Sequence, residues 1–290
     1  MATPWAAIAV LSTAVLRKVR NNLDLPREMV DSAVAARRNR RYFESITNYC
    51  MFLGYPRSGH SLVGSLLDAH PDAVIAHELD ALRLVQSGFR RNQILSLALA
   101  NSQTYGQARQ HIYDYSVANQ WQGRFRRIRV IGDKKGGRST RRLAEAPALL
   151  GRLERRMGLP VRFVHVLRNP FDNIATMFTR GGPSASLPAT IDTYTLLCDT
   201  VAQVQARVDP GSMLDLRHED LIAGPAGQLT RLTGFLGLDA SAAYLADCAS
   251  ILYQSPNRTR SVAPWTPELR GRVDTLISRF GFLGDYSFDS

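Results

Sequence analysis

The sequence predicts an α/β fold of three layers, in which helices cover both faces of a mainly parallel sheet of about five strands. Short apolar runs, some rich in β-branched residues, alternate along the chain with segments that repeat apolar residues at helical spacing. Such alternation is typical of parallel sheets whose crossover connections are helices. Because no internal repeat and no long linker interrupts the 290 residues, we expect one main domain.

Five apolar runs are the predicted strands, and segments of helical pattern surround them. The predicted strands are 49–53, 73–76, 128–132, 161–167 and 213–216. The predicted helices are 27–44, 62–67, 90–120, 139–157, 171–178, 191–208, 225–236, 240–251 and 267–280. Residues 1–45 are predicted to form an N-terminal helical extension, and residues 46–290 the main domain.

The composition is that of an ordinary globular protein with a basic surface. Hydrophobic residues make up 45% of the chain, charged residues make up 21%, and the formal net charge is +11. This surplus attracts anions such as nucleic acid, anionic membranes or phosphorylated small molecules, without choosing among them. The three cysteines, Cys50, Cys198 and Cys248, are widely spaced, which argues against a disulfide framework and a zinc site and favours a reducing compartment.

Two segments near the N-terminus concern location and partners. Residues 4–16 are apolar and are followed by Arg17, Lys18 and Arg20. The run is too short to span a bilayer, and its basic residues are on the wrong side for a signal peptide. We therefore expect a cytoplasmic protein that can associate with membranes through this apolar segment. The basic run at 37–41 is compatible with nucleic-acid binding, although a solvated helix face is its commoner meaning.

The stretch from Gly54 to Ser61 is the strongest local signal. It follows the first predicted strand and leads into a helix, an arrangement that directs backbone N–H groups towards an anion. Its spacing fits the nucleotide-binding motif G-x-x-x-x-G-K-[ST], except that His60 replaces the lysine. With Arg57 as the cation inside the loop, the stretch predicts a phosphate site unsuited to ATP or GTP chemistry. An ordinary strand-turn-helix is the alternative.

Polar and charged residues follow four of the predicted strands. They are Arg57 to Ser61, His77 with Glu78, Asp133 to Lys135, and Arg168 to Thr176. Ligands of open parallel sheets bind beyond the carboxyl ends of the strands, so we expect these residues to lie together. Anion-binding features at two separate strand ends indicate a ligand with two separate anionic groups.

In combination, these motifs resemble those of the sulfotransferase family, whose sulfate donor is 3′-phosphoadenosine 5′-phosphosulfate (PAPS). The family's 5′-phosphosulfate loop resembles the run from Tyr55 to Ser61, and its 3′-phosphate motif resembles Arg168 with Thr176. The resemblance implies a P-loop-like domain that binds PAPS. The residues that it assigns to the donor are Arg57, Ser58, Gly59, His60, Ser61, Arg168 and Thr176.

Within the family, the motifs most resemble those of the tyrosylprotein branch. That branch has R-S-G-T-T-L, L-D-A-H-P and a Glu-Glu pair, where this chain has R-S-G-H-S-L, L-D-A-H-P and His77-Glu78. The resemblance implies Glu78 as the catalytic base and Lys134 as the catalytic lysine. A looser likeness implies that Arg258 and Arg260 also contact the cofactor.

The implied reaction is in-line transfer of a sulfuryl group to an acceptor hydroxyl or amine, with fixed cations in place of a metal ion. Arg57 and Lys134 would stabilise the developing charge, and Glu78 would take the acceptor's proton. His77 and His111 are rival bases because histidine titrates near neutral pH. His60, where the family usually has Thr, either contacts the leaving group or begins the helix.

The motifs leave the acceptor open and allow two competing functions. The R-K-G-x-x-G motif of the cytosolic branch is absent, and no acceptor-peptide site of the tyrosylprotein branch is recognisable. A glycolipid, a glycan, a phenolic metabolite or a peptide would all suit the same donor site as acceptor. The competing functions are a P-loop kinase with a degenerate loop and a basic nucleic-acid-binding protein, and we expect neither ATP turnover nor a nucleic-acid partner.

Overall fold

A computed structural model describes residues 25–108 and 115–290. Within them, five strands form one sheet in the order β2-β3-β1-β4-β5, and every neighbouring pair is parallel. The strands are β1 Asn48–Gly54, β2 Ala73–His77, β3 Val130–Lys134, β4 Val161–Leu167 and β5 Met213–Arg217. The α/β class, the parallel sheet and the number of strands predicted from the sequence are confirmed.

Twelve α-helices accompany the sheet in the described part of the chain. They are α1 Leu25–Arg38, α2 His60–Asp68, α3 Ala81–Gln86, α4 Arg91–Ala108, α5 Gly137–Glu145, α6 Leu149–Met157, α7 Pro170–Thr179, α8 Leu187–Gln205, α9 His218–Ala223, α10 Pro225–Phe235, α11 Ala242–Ser250 and α12 Pro267–Arg279. Short 3-10 helices lie at Arg40–Phe43, Pro210–Ser212, Arg260–Val262 and Gly281–Leu283.

The central strand β1 shows why the fold has three layers. Successive side chains of a strand point to opposite faces of its sheet. Tyr49, Met51 and Leu53 therefore join a core built with α3, α4, α5, α6 and α8. Cys50 and Phe52 join a second core built with α2, α10 and α11. The strand is buried on both faces, which explains its continuous apolar run.

The order of the strands places the ligand site. β1 lies at the centre of the sheet, with β3 and β2 on one side and β4 and β5 on the other, so the strand order reverses next to β1. In open parallel sheets, ligands bind in the crevice where the strand order reverses. The register pairs Gly54 of β1 with Val166 of β4, and His77 of β2 with Lys134 of β3, so the segments that follow these strands emerge side by side.

Two predicted helices differ from the structure. Of the helix predicted at 90–120, the structure describes helix over Arg91–Ala108 and irregular backbone at 115–117; residues 109–114, with His111, lie outside the described residues. The helix predicted at 139–157 is two helices, α5 and α6. Pro147 disfavours helical backbone in the residue before it, and Ala146 has φ −148° and ψ 79°.

The described part of the predicted N-terminal extension packs on the main domain. The guanidinium of Arg83 forms an ion pair with Glu28 at 3.0 Å, and Gln93 Nε2 donates to the carbonyl of Met29 at 2.8 Å. These contacts attach α1 to α3 and α4. The domain boundary at residue 45 stays a prediction.

One expectation about location is corrected. The sequence predicts a cytoplasmic protein that associates with membranes through the apolar segment at 4–16. Among residues 25–108 and 115–290, no helix combines the length and the apolar character needed to cross a membrane. The segment itself lies outside the described residues, and membrane association through it is not retained.

Candidate functional site

A cavity of about 660 Å³ lies outside the carboxyl end of β1. Residues that follow all five strands line it, so the expected convergence of four strand ends is found and the end of β5 joins them. The predicted site residues in its lining are Arg57, Gly59, His60, Ser61, Glu78, Lys134, Arg168 and Thr176. Three others, Ser58, Arg258 and Arg260, are not among the lining residues.

The loop after β1 curls because three of its residues have positive φ: Gly54 at 127°, Arg57 at 70° and Gly59 at 102°. The N–H of Gly54 donates to Thr140 Oγ1 of α5 at 2.8 Å, which fixes the start of the loop. A Cβ on Gly59 would lie 2.8 Å from Cδ2 of His218, so this position requires glycine. The exposed side chain of Arg57 is left as the cation of the loop.

His60 is an uncharged clamp inside the loop. Its buried ring donates from Nε2 to the Leu53 carbonyl at 2.8 Å, and Ser58 Oγ donates to Nδ1 at 3.2 Å. Burial, only partly offset by the bond to Leu53, lowers the pKa of His60 to about 3. A Cβ on Gly136 would lie 2.5 Å from the ring, so the clamp also needs that glycine. A neutral ring thus fills the position of the motif's lysine.

Lys134, Lys135 and Glu78 form a charged cluster beside the loop. Lys134 Nζ, buried at 3% exposure, donates to Ser61 Oγ at 2.9 Å and lies 3.4 Å from Glu78 Oε1. Lys135 Nζ donates to Glu78 Oε2 at 3.1 Å. Burial lowers the pKa of Lys134 to about 8 although Glu78 opposes the shift. Burial disfavours ionisation of Glu78, but both lysines outweigh it and lower the pKa of that carboxyl.

Buried polar groups hold the backbone that carries Glu78. Glu78 has φ 58° and Asp80 has φ 66°, a left-handed conformation that is unfavourable for residues with a side chain. The carboxylate of Asp133 accepts from the N–H of Leu79 at 3.0 Å and of Ala81 at 2.8 Å. Burial raises the pKa of Asp133 to about 6. The turn is therefore built to present Glu78 at a fixed place.

A second ion pair supports the same turn. Arg142 of α5 donates to both carboxylate oxygens of Asp80, at 2.6 and 2.7 Å. Both ion pairs and hydrogen bonds therefore hold the turn that carries Glu78.

Of the two rival bases, the structure describes His77 and not His111. The ring of His77 stacks on Tyr105 at 3.6 Å between ring centroids and is not among the lining residues of the cavity. His111 lies outside the described residues.

At the end of β4, Arg168 and Thr176 meet as the sequence predicts. Arg168 Nη1 donates to Thr176 Oγ1 at 3.1 Å, and Nη2 donates to Thr259 Oγ1 at 3.2 Å. The two threonine hydroxyls are 2.8 Å apart. Nη1 also lies 3.4 Å from the carbonyl of Arg57, so this group adjoins the first loop. Thr259 is a member that sequence reasoning missed, because it is distant along the chain.

The structure places Arg260 and Arg258 apart from the cavity. The guanidinium of Arg260 forms a buried ion pair with Asp172 at 2.6 Å, and the backbone N–H groups of Thr259 and Arg260 donate to the same carboxylate. This pair fastens the loop that presents Thr259. A direct contact of Arg260 with a cofactor would require the pair to open. Arg258 is exposed.

The end of β5 adds His218 and Glu219 to the cavity, and sequence reasoning gave them no role. Glu219 accepts from the N–H of Asn169 at 2.8 Å and from the Tyr286 hydroxyl at 2.8 Å. Burial lowers the pKa of His218, whose Nδ1 is buried without a hydrogen-bond partner in the described part of the chain. The rule that strand ends converge, applied to the fifth strand, would have found both residues.

The parts of the chain that the structure describes contain neither a candidate metal site nor a disulfide. No group of three or more His, Cys, Asp or Glu side chains there is arranged to hold a metal ion. The thiols of Cys50, Cys198 and Cys248 are free and buried. Buried side chains of this kind pack as small apolar groups.

Known proteins resemble this chain in sequence. The sequence model of the sulfotransferase family matches residues 51–242, which include the loop, Glu78, Lys134, Arg168 and Thr176. Among curated relatives are the omega-hydroxy-beta-dihydromenaquinone-9 sulfotransferases Stf3 of Mycobacterium bovis and Mycobacterium tuberculosis. Each is 33% identical over 96 residues, which make up 32% of this chain. The match spans only about a quarter, 25%, of the length of these relatives.

A solved structure supports the fold. The sulfotransferase domain from the curacin biosynthetic pathway aligns with a TM-score of 0.51 over 81% of this chain and 98% of that domain, at 17% identity. Its fold is therefore shared, although so low an identity carries no further conclusion. Because the family's sequence model covers more than half of the residues, the chain belongs to the sulfotransferase family.

Proposed function

We propose that this protein transfers the sulfuryl group of PAPS to a hydroxyl or amine of an acceptor. The observation that carries the proposal is the pair of anion-binding groups in one cavity, the loop at Arg57–Ser61 and the Arg168–Thr176–Thr259 group. PAPS has two anionic ends and about four negative charges at neutral pH. The cavity lining has six lysine or arginine side chains against two carboxylates, which complements such a charge.

The residues fit the two ends of the donor. At the 5′ end, the N–H groups of the loop, the side chain of Arg57 and the hydroxyl of Ser61 would bind the phosphosulfate. At the 3′ end, Arg168, Thr176 and Thr259 already converge and would exchange their mutual bonds for phosphate oxygens. Tyr253, whose side chain is exposed at the cavity rim, offers a flat ring on which the adenine would stack.

The clamp of His60 separates this site from that of a kinase. A P-loop kinase needs a cation at this position to reach the β- and γ-phosphates. The ring of His60 is neutral, with both nitrogens committed to Leu53 and Ser58. Arg57 and Lys134 supply positive charge at other places in the cavity, where they would stabilise the sulfuryl group during its transfer.

The chain's own residues suffice for the transfer step. The acceptor oxygen or nitrogen bonds to sulfur while the bond from sulfur to the phosphate oxygen breaks. Lys134 and Arg57 stabilise the negative charge that develops on that oxygen. Glu78 takes the acceptor's proton, and its lowered pKa keeps it ionised at neutral pH. When Lys134 turns to the donor, Glu78 loses one neighbouring cation and becomes a stronger base.

The assignment of Glu78 is tested against its rival by two substitutions. We expect Glu78→Gln to abolish sulfate transfer while donor binding survives, because the amide cannot accept a proton. His77→Ala should preserve most of the transfer, because that ring stacks on Tyr105 outside the lining of the cavity. If only the histidine change abolishes transfer, Glu78 is not the base.

The donor is tested by thermal stabilisation with adenosine 3′,5′-bisphosphate, ATP with Mg²⁺, and duplex DNA. We expect stabilisation by the bisphosphate, no turnover of ATP and no stabilisation by duplex DNA. Stabilisation by ATP with turnover would favour the kinase, and salt-dependent DNA binding without protection by the bisphosphate would favour a nucleic-acid-binding protein. Radiolabelled PAPS, offered with glycan, glycolipid, phenolic and peptide acceptors, then tests the transfer and the likeness to the tyrosylprotein branch.

A further inference from the structure

A second basic cavity lies away from the site described above. It measures about 440 Å³ and is lined by Val85 of α3 and by four arginines, Arg91, Arg152, Arg155 and Arg156. We call these four residues the arginine pocket. None of them lines the larger cavity. Arg91 begins α4, and the other three belong to α6.

The arginine pocket holds positive charge without compensation. In residues 25–108 and 115–290, no carboxylate forms an ion pair with any of its four guanidinium groups. Arg83 of α3 and Arg142 of α5, on neighbouring helices, are paired with carboxylates. Four like charges around one cavity repel one another unless an anion lies among them.

Arg91 is the member that ordinary helix chemistry does not explain. Arg155 and Arg156 lie in the last turn of α6, where a cation is favourable for the helix dipole. Arg91 occupies the first position of α4, where a cation is unfavourable and an anion is preferred. Its Nε is also buried without a hydrogen-bond partner among the described residues. A residue with an unpaired donor at a helix start therefore lines the same cavity as three further arginines.

We propose that the arginine pocket binds a small polyanion with at least two phosphoryl or sulfuryl groups. Guanidinium groups bind such tetrahedral anions through paired N–H donors, and each of the four arginines has donors to offer. A single monovalent anion would leave most of the charge uncompensated. The volume of the pocket admits a nucleotide or an inorganic polyphosphate, which share this chemistry. The proposal is independent of the proposed transfer reaction.

The test is a calorimetric titration of the full chain with inorganic tripolyphosphate at near-physiological salt. The variant Arg152→Gln/Arg155→Gln removes two exposed arginines of the pocket, so folding is not at risk. Arg37→Gln/Arg38→Gln is the matched control, because it removes the same charge from two exposed helical arginines elsewhere. We expect the pocket variant to have one tripolyphosphate site fewer than the native chain, or to bind tripolyphosphate at that site at least about tenfold more weakly.

The control should keep the native stoichiometry and stay within about threefold in affinity, as expected for screened surface charge. A native chain that binds no tripolyphosphate, a pocket variant that keeps every site, or an equal loss in the control would each overturn the proposal. Replacing tripolyphosphate by ATP identifies the source of the anion. Equal affinity for both means that the phosphate chain is recognised, and tighter binding of ATP means that a nucleotide is.

Discussion

The guanidinium of Arg168 provides a quantitative test of the two-ended donor site. It joins Thr176 and Thr259 at 3.1 and 3.2 Å and adjoins the carbonyl of Arg57 at 3.4 Å. Arg168→Met keeps an unbranched side chain but removes the cation and all of its donors. The 3′-phosphate should then lose its main partner, whereas the 5′-phosphate on the other loop should keep its own.

The size of the effect follows from the bonds that are lost. Hydrogen bonds to charged groups contribute about 1.5–3 kcal/mol each. Two of them correspond to about 3–6 kcal/mol, or roughly 10²–10⁴-fold in Kd. Because Arg168 gives up its bonds to Thr176 and Thr259 when phosphate binds, we expect the lower end, about 100-fold.

The assay compares two nucleotides on the same proteins by isothermal calorimetry. We expect the native chain to bind adenosine 3′,5′-bisphosphate about 100-fold more tightly than AMP, and the Arg168→Met variant to bind both alike. Arg138→Met is the control, since this exposed arginine lines the cavity and should affect both nucleotides equally. An Arg168→Met variant that retains the preference for the bisphosphate would refute the assignment.

Three further predictions concern other residues of the cavity. His60→Ala should lower the free energy of unfolding by about 2–4 kcal/mol in urea denaturation, because the Leu53 carbonyl loses its donor and a buried ring is removed. The affinity for adenosine 3′,5′-bisphosphate should fall as pH rises above about 8, because Lys134 loses there the proton that its anionic partner requires. Asp133→Asn should lower kcat about tenfold with an unchanged Kd for the bisphosphate, because the amide oxygen cannot accept as the two carboxylate oxygens do and the turn that carries Glu78 loosens.

Each of these has an outcome that contradicts it. For His60→Ala, it is a stability within about 0.5 kcal/mol of the native value, which would be that of an ordinary surface change. For the pH profile, it is a decline that persists in Lys134→Met, which has no titrating group at that place. For Asp133→Asn, it is equal loss of binding and turnover, which would indicate general disruption of the cavity.

The fold was largely predictable because its signals are local. The buried strand at 161–167 is continuous in the sequence, and the structure has Val161–Leu167 at the same bounds. Local signals also explain the main error. Apolar spacing runs through 139–157 although Pro147 interrupts the helix, so the periodic pattern alone predicts one helix where the structure has two.

The site was predictable only where its residues follow a strand directly. Arg57, Glu78, Lys134 and Arg168 each come within four residues after a predicted strand, and all line the cavity. Thr259 belongs to no such segment. Thr259 reaches Thr176 because the buried ion pair of Asp172 and Arg260 holds its loop against α7. No local sequence pattern predicts an ion pair between residues so far apart in the chain.

By itself, the sequence determined the parallel α/β fold, the anion-binding loop and the convergence of charged residues at the strand ends. These follow from periodicity and from the rule that parallel strands end at one edge. Only the tertiary structure decided the state of those residues. It made His60 a neutral clamp, placed Glu78 between two lysines and, in the described part of the chain, left the arginine pocket without an ion pair. Burial and distance set charge and hydrogen bonding, and both arise between segments that are remote in sequence.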